Sequence, residues 1–140
     1  MTSLTLATLD AGTKGLDAGA LAGLRNGLDG DAIAAGDAGY DEARTVWNAM
    51  IDRKPGLVVR CRSAADVARA VGFAAEHGLL TAIKGGGHNI GGNAVCDGGL
   101  MLDLSAMKDV TVDAAARTAS VEPGALLADV DAATQAHGLA

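Results

Sequence analysis

Aromatic residues are nearly missing: one Trp, one Tyr and one Phe in 140 residues. Single-stranded nucleic acid is gripped largely by stacking bases on such rings, so that platform is absent. Positive charge is also scarce. Eleven Lys and Arg face 17 Asp and Glu, for a net charge of −6 and an isoelectric point near 4.8. Only Arg60-Cys61-Arg62 is locally basic, too short to track a phosphate backbone through counterion release. Both shortages argue against a nucleic-acid partner. No apolar run approaches the ~18 residues of a membrane span, which argues against a membrane partner. Met1 to Asp10 lacks the basic start and apolar stretch of a secretory signal. Two cysteines, Cys61 and Cys96, build neither a disulfide framework nor a zinc site. The expectation is a cytoplasmic protein with reduced thiols.

What is present points to one globular domain. Hydrophobic residues are 49% and charged residues 20%, against disorder. With so few rings, the core must come from Ala, Val, Leu and Ile. Twenty glycines are about twice the usual share. They follow no three-residue period, so collagen is out. Their density suggests backbones packed close to one another or to a ligand.

The chain divides at residue 36. Residues 1–36 read as a weakly structured leader. Leu16, Ala20, Leu24 and Leu28 fall at helical spacing, but interspersed glycines weaken a short helix there, each by roughly 1 kcal/mol. From residue 37 the pattern sharpens. Tyr40, Ala43, Trp47, Met50 and Ile51 share one helical face and read as core, ended by Lys54-Pro55-Gly56. Leu57 to Cys61 reads as a strand. Ser63 and Asp66 form a capping box, Val67, Ala70, Val71 and Ala74 a buried stripe, and Gly78 a left-handed stop. Thr81 to Lys84 is the next strand, which completes a βαβ unit with parallel strands. Three short apolar pieces follow, at 100–103, 110–112 and 118–121, the last two forming an antiparallel hairpin around 113–117. Leu126, Leu127, Val130 and Ala133 mark a final helix closed by His137 and Gly138. The chain ends two residues later, which reads as a fragment boundary.

The most unusual stretch is Lys84-Gly85-Gly86-Gly87-His88-Asn89-Ile90-Gly91-Gly92-Asn93. Consecutive glycine amides in alternating right- and left-handed conformations converge into a nest for an anion such as pyrophosphate. Lys84 could add charge. The dinucleotide pattern G-x-G-x-x-G from Gly85 fails at Ile90, and the P-loop pattern from Gly87 reaches Gly92 but meets Asn93 and Ala94. A plain turn and an anion nest both stay open. His88 is either an ordinary loop histidine or, beside a bound cofactor, a base, ligand or nucleophile. Asp97 and Asp103 fit no compact metal motif with His88. His77 and His137, each before a Gly at a helix end, suit the helix dipole. No serine sits in a nucleophile elbow. No catalytic residue and no metal ligand is assigned.

Three segments in order carry a resemblance: Ser63-Ala64-Ala65-Asp66-Val67, then Lys84 to Asn89, then Asp97-Gly98-Gly99-Leu100-Met101-Leu102-Asp103-Leu104-Ser105. Val121-Glu122-Pro123-Gly124-Ala125, with Val130-Asp131 and His137-Gly138-Leu139-Ala140, continues it. From about residue 40 the chain resembles the FAD-binding domain of the vanillyl-alcohol oxidase and p-cresol methylhydroxylase (PCMH) superfamily, closest to berberine-bridge-enzyme-like oxidases. The resemblance implies an α+β fold: a PCMH-type FAD-binding subdomain, truncated, with a small mixed sheet flanked by helices. It implies that Lys84, Gly85, Gly86, Gly87, His88 and Asn89 wrap the FAD pyrophosphate, with Gly91, Gly92 and Asn93 near the cofactor. It implies covalent attachment of His88 to the flavin 8α-methyl. The implied full-length enzyme oxidises an alcohol, amine or similar small substrate by hydride transfer to FAD, with dioxygen as acceptor. The chain departs from the pattern at Lys84, where Arg is usual, and a Lys gives no bidentate fork. Cys96 does not match the second, cysteinyl attachment point of some members. The substrate half is missing, so the chain alone is expected to be inactive. Two alternatives are a half-enzyme completed by a partner chain and a noncatalytic anion- or nucleotide-binding module.

Overall fold

Two short strands fix the architecture because every residue in them is apolar or paired. Leu57–Arg60 and Leu100–Asp103 lie side by side and parallel, Leu57 opposite Leu100 and Arg60 opposite Asp103. Side chains alternate across a strand. Leu57, Val59, Leu100 and Leu102 therefore face one core cluster, and Val58 and Met101 the other. Both faces are covered, which is why these strands read as unbroken hydrophobic runs.

In the computed structural model, which describes residues 3–140, the elements are β1 (Leu4–Ala7), β2 (Thr13–Leu16), α1 (Ala18–Asn26), β3 (Asp31–Ala34), α2 (Tyr40–Ala43), β4 (Leu57–Arg60), α3 (Ala64–His77), β5 (Thr81–Lys84), β6 (Leu100–Asp103), β7 (Val110–Asp113), β8 (Thr118–Val121) and α4 (Leu127–Gln135). The central sheet has the order β3-β4-β6-β5. β4, β6 and β5 run parallel, and β3 pairs antiparallel with β4. Helix α3 supplies Ala70 and Ala74 to the larger cluster, while Tyr40, Ala43 and Val95 cover the opposite face. This is the expected small mixed sheet flanked by helices. The β4–α3–β5 unit forms as expected, except that its two strands are not neighbours: β6, arriving later in the chain, inserts between them.

Helix α3 is built as its sequence requires. Ser63 Oγ accepts from the Asp66 amide at 3.2 Å, and Gly78 closes the helix at φ 62°. The reciprocal half of the expected capping box does not form. The Asp66 carboxylate instead accepts from the amides of Arg62, Asp29 and Gly30 at 2.9–3.0 Å and is buried. Val71 is also not part of the buried stripe. It is exposed, and Ala70 and Ala74 with half-buried Val67 and Phe73 make the contact.

Three further expectations need correction. The first 36 residues hold more than a short helix: the hairpin β1–β2, helix α1 and strand β3 are all formed there. Leu6, Leu16 and Leu24 are almost fully buried against the sheet. The hairpin is tied in by Ala7 N–H to Gly98 O and Leu80 N–H to Ala7 O, at 2.8 and 2.9 Å. Glycine weakens intrinsic helix propensity, and tertiary burial overrides it. The helix expected from Tyr40 to Ile51 stops after Ala43. There Thr45 Oγ1 donates to the Glu42 carbonyl at 2.7 Å, the kind of local bond that competes with helix continuation. Tyr40 stays in the core, its hydroxyl donating to Pro55 O at 2.6 Å, but Trp47 and Met50 are exposed. Finally, the hairpin β7–β8 and helix α4 form where expected, yet β8 is exposed throughout and α4 buries no residue.

Candidate functional site

The glycine-rich loop leaves the sheet at the carboxyl ends of the parallel strands. In open α/β sheets that end is the usual place for ligands. The strand ends are locked by charge. Arg60, Asp103 and Lys84 stand in register on β4, β6 and β5. Asp103 is 1% exposed, with Arg60 Nε at 3.3 Å, Lys84 Nζ at 3.9 Å and the Ser105 amide at 3.0 Å. Lys84 Nζ also donates to Ala43 O at 3.3 Å. The Lys84 ammonium is thus turned back into this row and braces the root of the loop.

Beyond Lys84, the amides have no protein acceptors. Among the described residues, no backbone N–H from Gly85 through Gly91 donates within the chain. These main-chain donors are left for solvent or a ligand. The turn is built by Gly87 at φ +76° and Gly92 at φ +73°, left-handed values that cost glycine nothing. Close approach matters at its start. A Cβ on Gly85 would stand 2.4 Å from Pro123 O. The far arm closes through Asn89, whose side chain accepts from Asn93 N–H at 3.0 Å and whose carbonyl accepts from Gly92 N–H at 3.1 Å. Arg53 Nη1 anchors it by donating to Gly92 O and Val95 O, at 3.0 and 3.1 Å. All nine sequence-identified residues lie on this bend: Gly87 and Gly92 are buried, Lys84 and Gly85 half-buried, and the other five exposed. Unpaired main-chain donors of this kind can be satisfied by an anion.

His88 is exposed on this bend and stacks on Trp47, with ring centroids 5.3 Å apart and planes 24° apart. Trp47 and Arg53 are the residues that sequence reasoning missed at this site. Helical spacing placed Trp47 with Tyr40 in a core, and no pattern marks Arg53 as an anchor for a loop 39 residues away.

The other candidates disperse. Among the described residues, no group of His, Cys, Asp and Glu could hold a metal ion. Asp97 Oδ1 accepts from the Lys54 amide at 2.8 Å. His77 packs edge-on against Phe73 at 4.6 Å. Cys61 and Cys96 are buried, which pushes the Cys61 thiol up to about 11 and raises that of Cys96. Neither is a ready thiolate. No helix among the described residues is long and apolar enough to cross a membrane.

Comparison with known proteins places the chain in a family. Residues 55–140 match the family model described as an FAD binding domain. The chain is 35% identical over 113 residues to (R)-6-hydroxynicotine oxidase of Paenarthrobacter nicotinovorans, covering 81% of the chain and 25% of that enzyme. The crystal structure of 6-hydroxy-D-nicotine oxidase from Arthrobacter nicotinovorans superposes with a TM-score of 0.75 at 34% identity, over 79% of this chain and 24% of that one. Glucooligosaccharide oxidase from Acremonium strictum, whose FAD is 6-S-cysteinyl and 8α-N1-histidyl, gives 0.68 at 33% identity, over 77% and 23%. The chain spans about a quarter of the length of these relatives. By sequence and by fold, it belongs to the FAD-binding domain family of the flavin-linked oxidoreductases of the vanillyl-alcohol oxidase and PCMH type, the berberine-bridge-enzyme-like oxidases among them.

Proposed function

We propose that the bend from Lys84 to Asn93 holds the diphosphate of FAD and that His88 is its covalent attachment point. The unpaired amide row from Gly85 to Gly91 carries this reading. Those donors are positioned before any ligand arrives, so little reorganisation opposes binding. Lys84 braces the root of the loop, its ammonium sharing the Asp103 carboxylate with Arg60. Asn89, Gly91, Gly92 and Asn93 shape the far arm, and Arg53 keeps it from opening.

FAD, when bound, supplies a two-electron acceptor for hydride from carbon. His88 would exchange one ring N–H for a bond to the 8α-methyl carbon. One N–H and one C–H would be given up for one N–C bond, with the two electrons and two protons leaving to dioxygen as hydrogen peroxide. An imidazole held beside its target reacts at a high effective concentration.

In the whole protein this site would serve oxidation of an alcohol, amine or similar small substrate, with dioxygen as electron acceptor. The chain spans about a quarter of the length of its relatives, and this reading assigns it the binding of FAD. The test is FAD titration of the 140-residue chain, followed by acid precipitation. The expected result is a yellow pellet from the wild type and a colourless one from His88→Ala. Tight binding of a different nucleotide with no FAD binding would establish the noncatalytic module instead.

A further inference from the structure

We propose that Trp47 is a positioning residue for His88: its indole fixes the imidazole at the mouth of the glycine bend, ready for attachment. The proposal rests on the His88 assignment above. A tryptophan 71% exposed is an anomaly in a chain with no other Trp, since a large ring normally finds burial. Here the ring gives up core packing and lies nearly parallel to the imidazole, 5.3 Å away. The backbone supports the same contact. Trp47 N–H donates to Gly87 O at 3.0 Å. Gly87 holds this carbonyl in place at φ +76°, a left-handed backbone that L side chains rarely adopt. Lys84 reaches the same segment through Ala43 O.

These contacts orient the loop as well as the ring. In a trans peptide the carbonyl and the next amide point to opposite sides. With Gly87 O turned towards Trp47, the His88 N–H is directed away from it. That places the His88 amide in the free donor row, while its side chain is pinned on the other side. One face of the imidazole is covered by indole, which restricts the rotamers a free loop histidine would sample. The result is a side chain ordered before the cofactor binds.

Two measurements on the 140-residue chain test this. In the ligand-free chain, NMR should place the His88 ring protons upfield through the indole ring current, a displacement lost in Trp47→Ala. His77, against Phe73, should keep its own shifts and so report that the variant is folded. With FAD added, Trp47→Ala should slow formation of acid-stable flavin about three- to tenfold, the worth of one stacked ring pair. Trp47→Phe should recover the wild-type rate to within about twofold. Acid-stable flavin formed by Trp47→Ala at the wild-type rate overturns the positioning role and leaves the His88 assignment standing. If the wild type releases all its flavin in acid, the His88 assignment itself fails and this proposal falls with it.

Discussion

Asp103 and Asp66 are the two charged side chains that the fold buries almost completely, and each is satisfied in a different way. Asp103 sits between Arg60 and Lys84 in one register row. Removing one partner of a buried ion pair is costly because the other charge stays behind. Lys84→Ala should therefore lower stability by about 1–3 kcal/mol, with Arg60 still in place. Lys84→Arg should recover most of it, and urea unfolding reads both. An outcome in which Lys84→Ala is as stable as wild type would show that the row contributes nothing to the loop's root. Asp66 forms no ion pair among the described residues and is held by main-chain amides. Burial works to raise its pKa, but the amides of Arg62, Asp29 and Gly30, with the nearby Arg69 charge, outweigh this and hold the carboxyl below its ordinary range. A depressed carboxyl adds stability that is complete above its unfolded pKa of about 3.9 and is lost as pH falls through the lower folded value. Asp66→Asn should cost about 2–3 kcal/mol at pH 7. The gap between variant and wild type should narrow below about pH 4, as the wild-type carboxyl protonates.

The elements that were legible in the sequence are those whose signals are local. Ser63, Gly78 and the apolar run Leu57 to Val59 specify α3 and β4 with no help from distant residues. The hairpin β7–β8 was readable for the same reason. What could not be read depends on contacts far along the chain. β6 comes between β4 and β5 because parallel strands need not pair in sequence order. β1 and β3 are held by Leu79, Gly98 and β4, all remote in sequence. Trp47 leaves the core because the helix ends four residues before it, which apolar spacing alone does not reveal. The site was half legible. The glycine bend and His88 stood out by composition, but Lys84's turn towards Asp103 follows from sheet register. Register also links the loop to a distant connection. Gly85 lies against the Pro123 carbonyl, between β8 and α4. Gly85→Ala should displace that contact, cost about 1–3 kcal/mol, and weaken FAD binding, measured by titration, more than Gly91→Ala. A Cβ at Gly91 meets nothing closer than 3.4 Å.

At the scale of the molecule, stability is distributed unevenly. The central sheet buries Leu57, Val58, Val59, Leu100, Met101 and Leu102 completely. The segment from β7 to α4 buries little: β8 is exposed along its length, α4 has no buried residue, and Leu127 is 82% exposed. Its attachment runs through backbone bonds such as Gly124 N–H to Met107 O at 2.8 Å and Glu122 N–H to Asp109 O at 2.9 Å. An isolated two-stranded hairpin is marginal in water, and local opening follows the number of buried apolar contacts. Native-state hydrogen exchange should therefore be slowest in β4 and β6 and at least about 30-fold faster in β8 and α4, a difference of about 2 kcal/mol in opening free energy. The same unevenness bears on function. The exposed apolar side chains Ile83, Val121, Leu126 and Leu127 lie on β5, on β8 and at the start of α4, on both sides of the Gly85–Pro123 contact. Polypeptide packed there would stabilise the donor row and the hairpin together. FAD bound at the bend should stabilise the root of the loop directly, while α4 packs on the β7–β8 hairpin instead. Added FAD should then slow exchange at Leu104, whose amide is bonded to Lys84 O, and leave α4 nearly unchanged. The 140-residue chain with FAD should show no steady turnover of alcohols or amines, followed as peroxide release. Sustained peroxide release would place a working substrate site within these residues and overturn the proposal that they serve FAD binding alone.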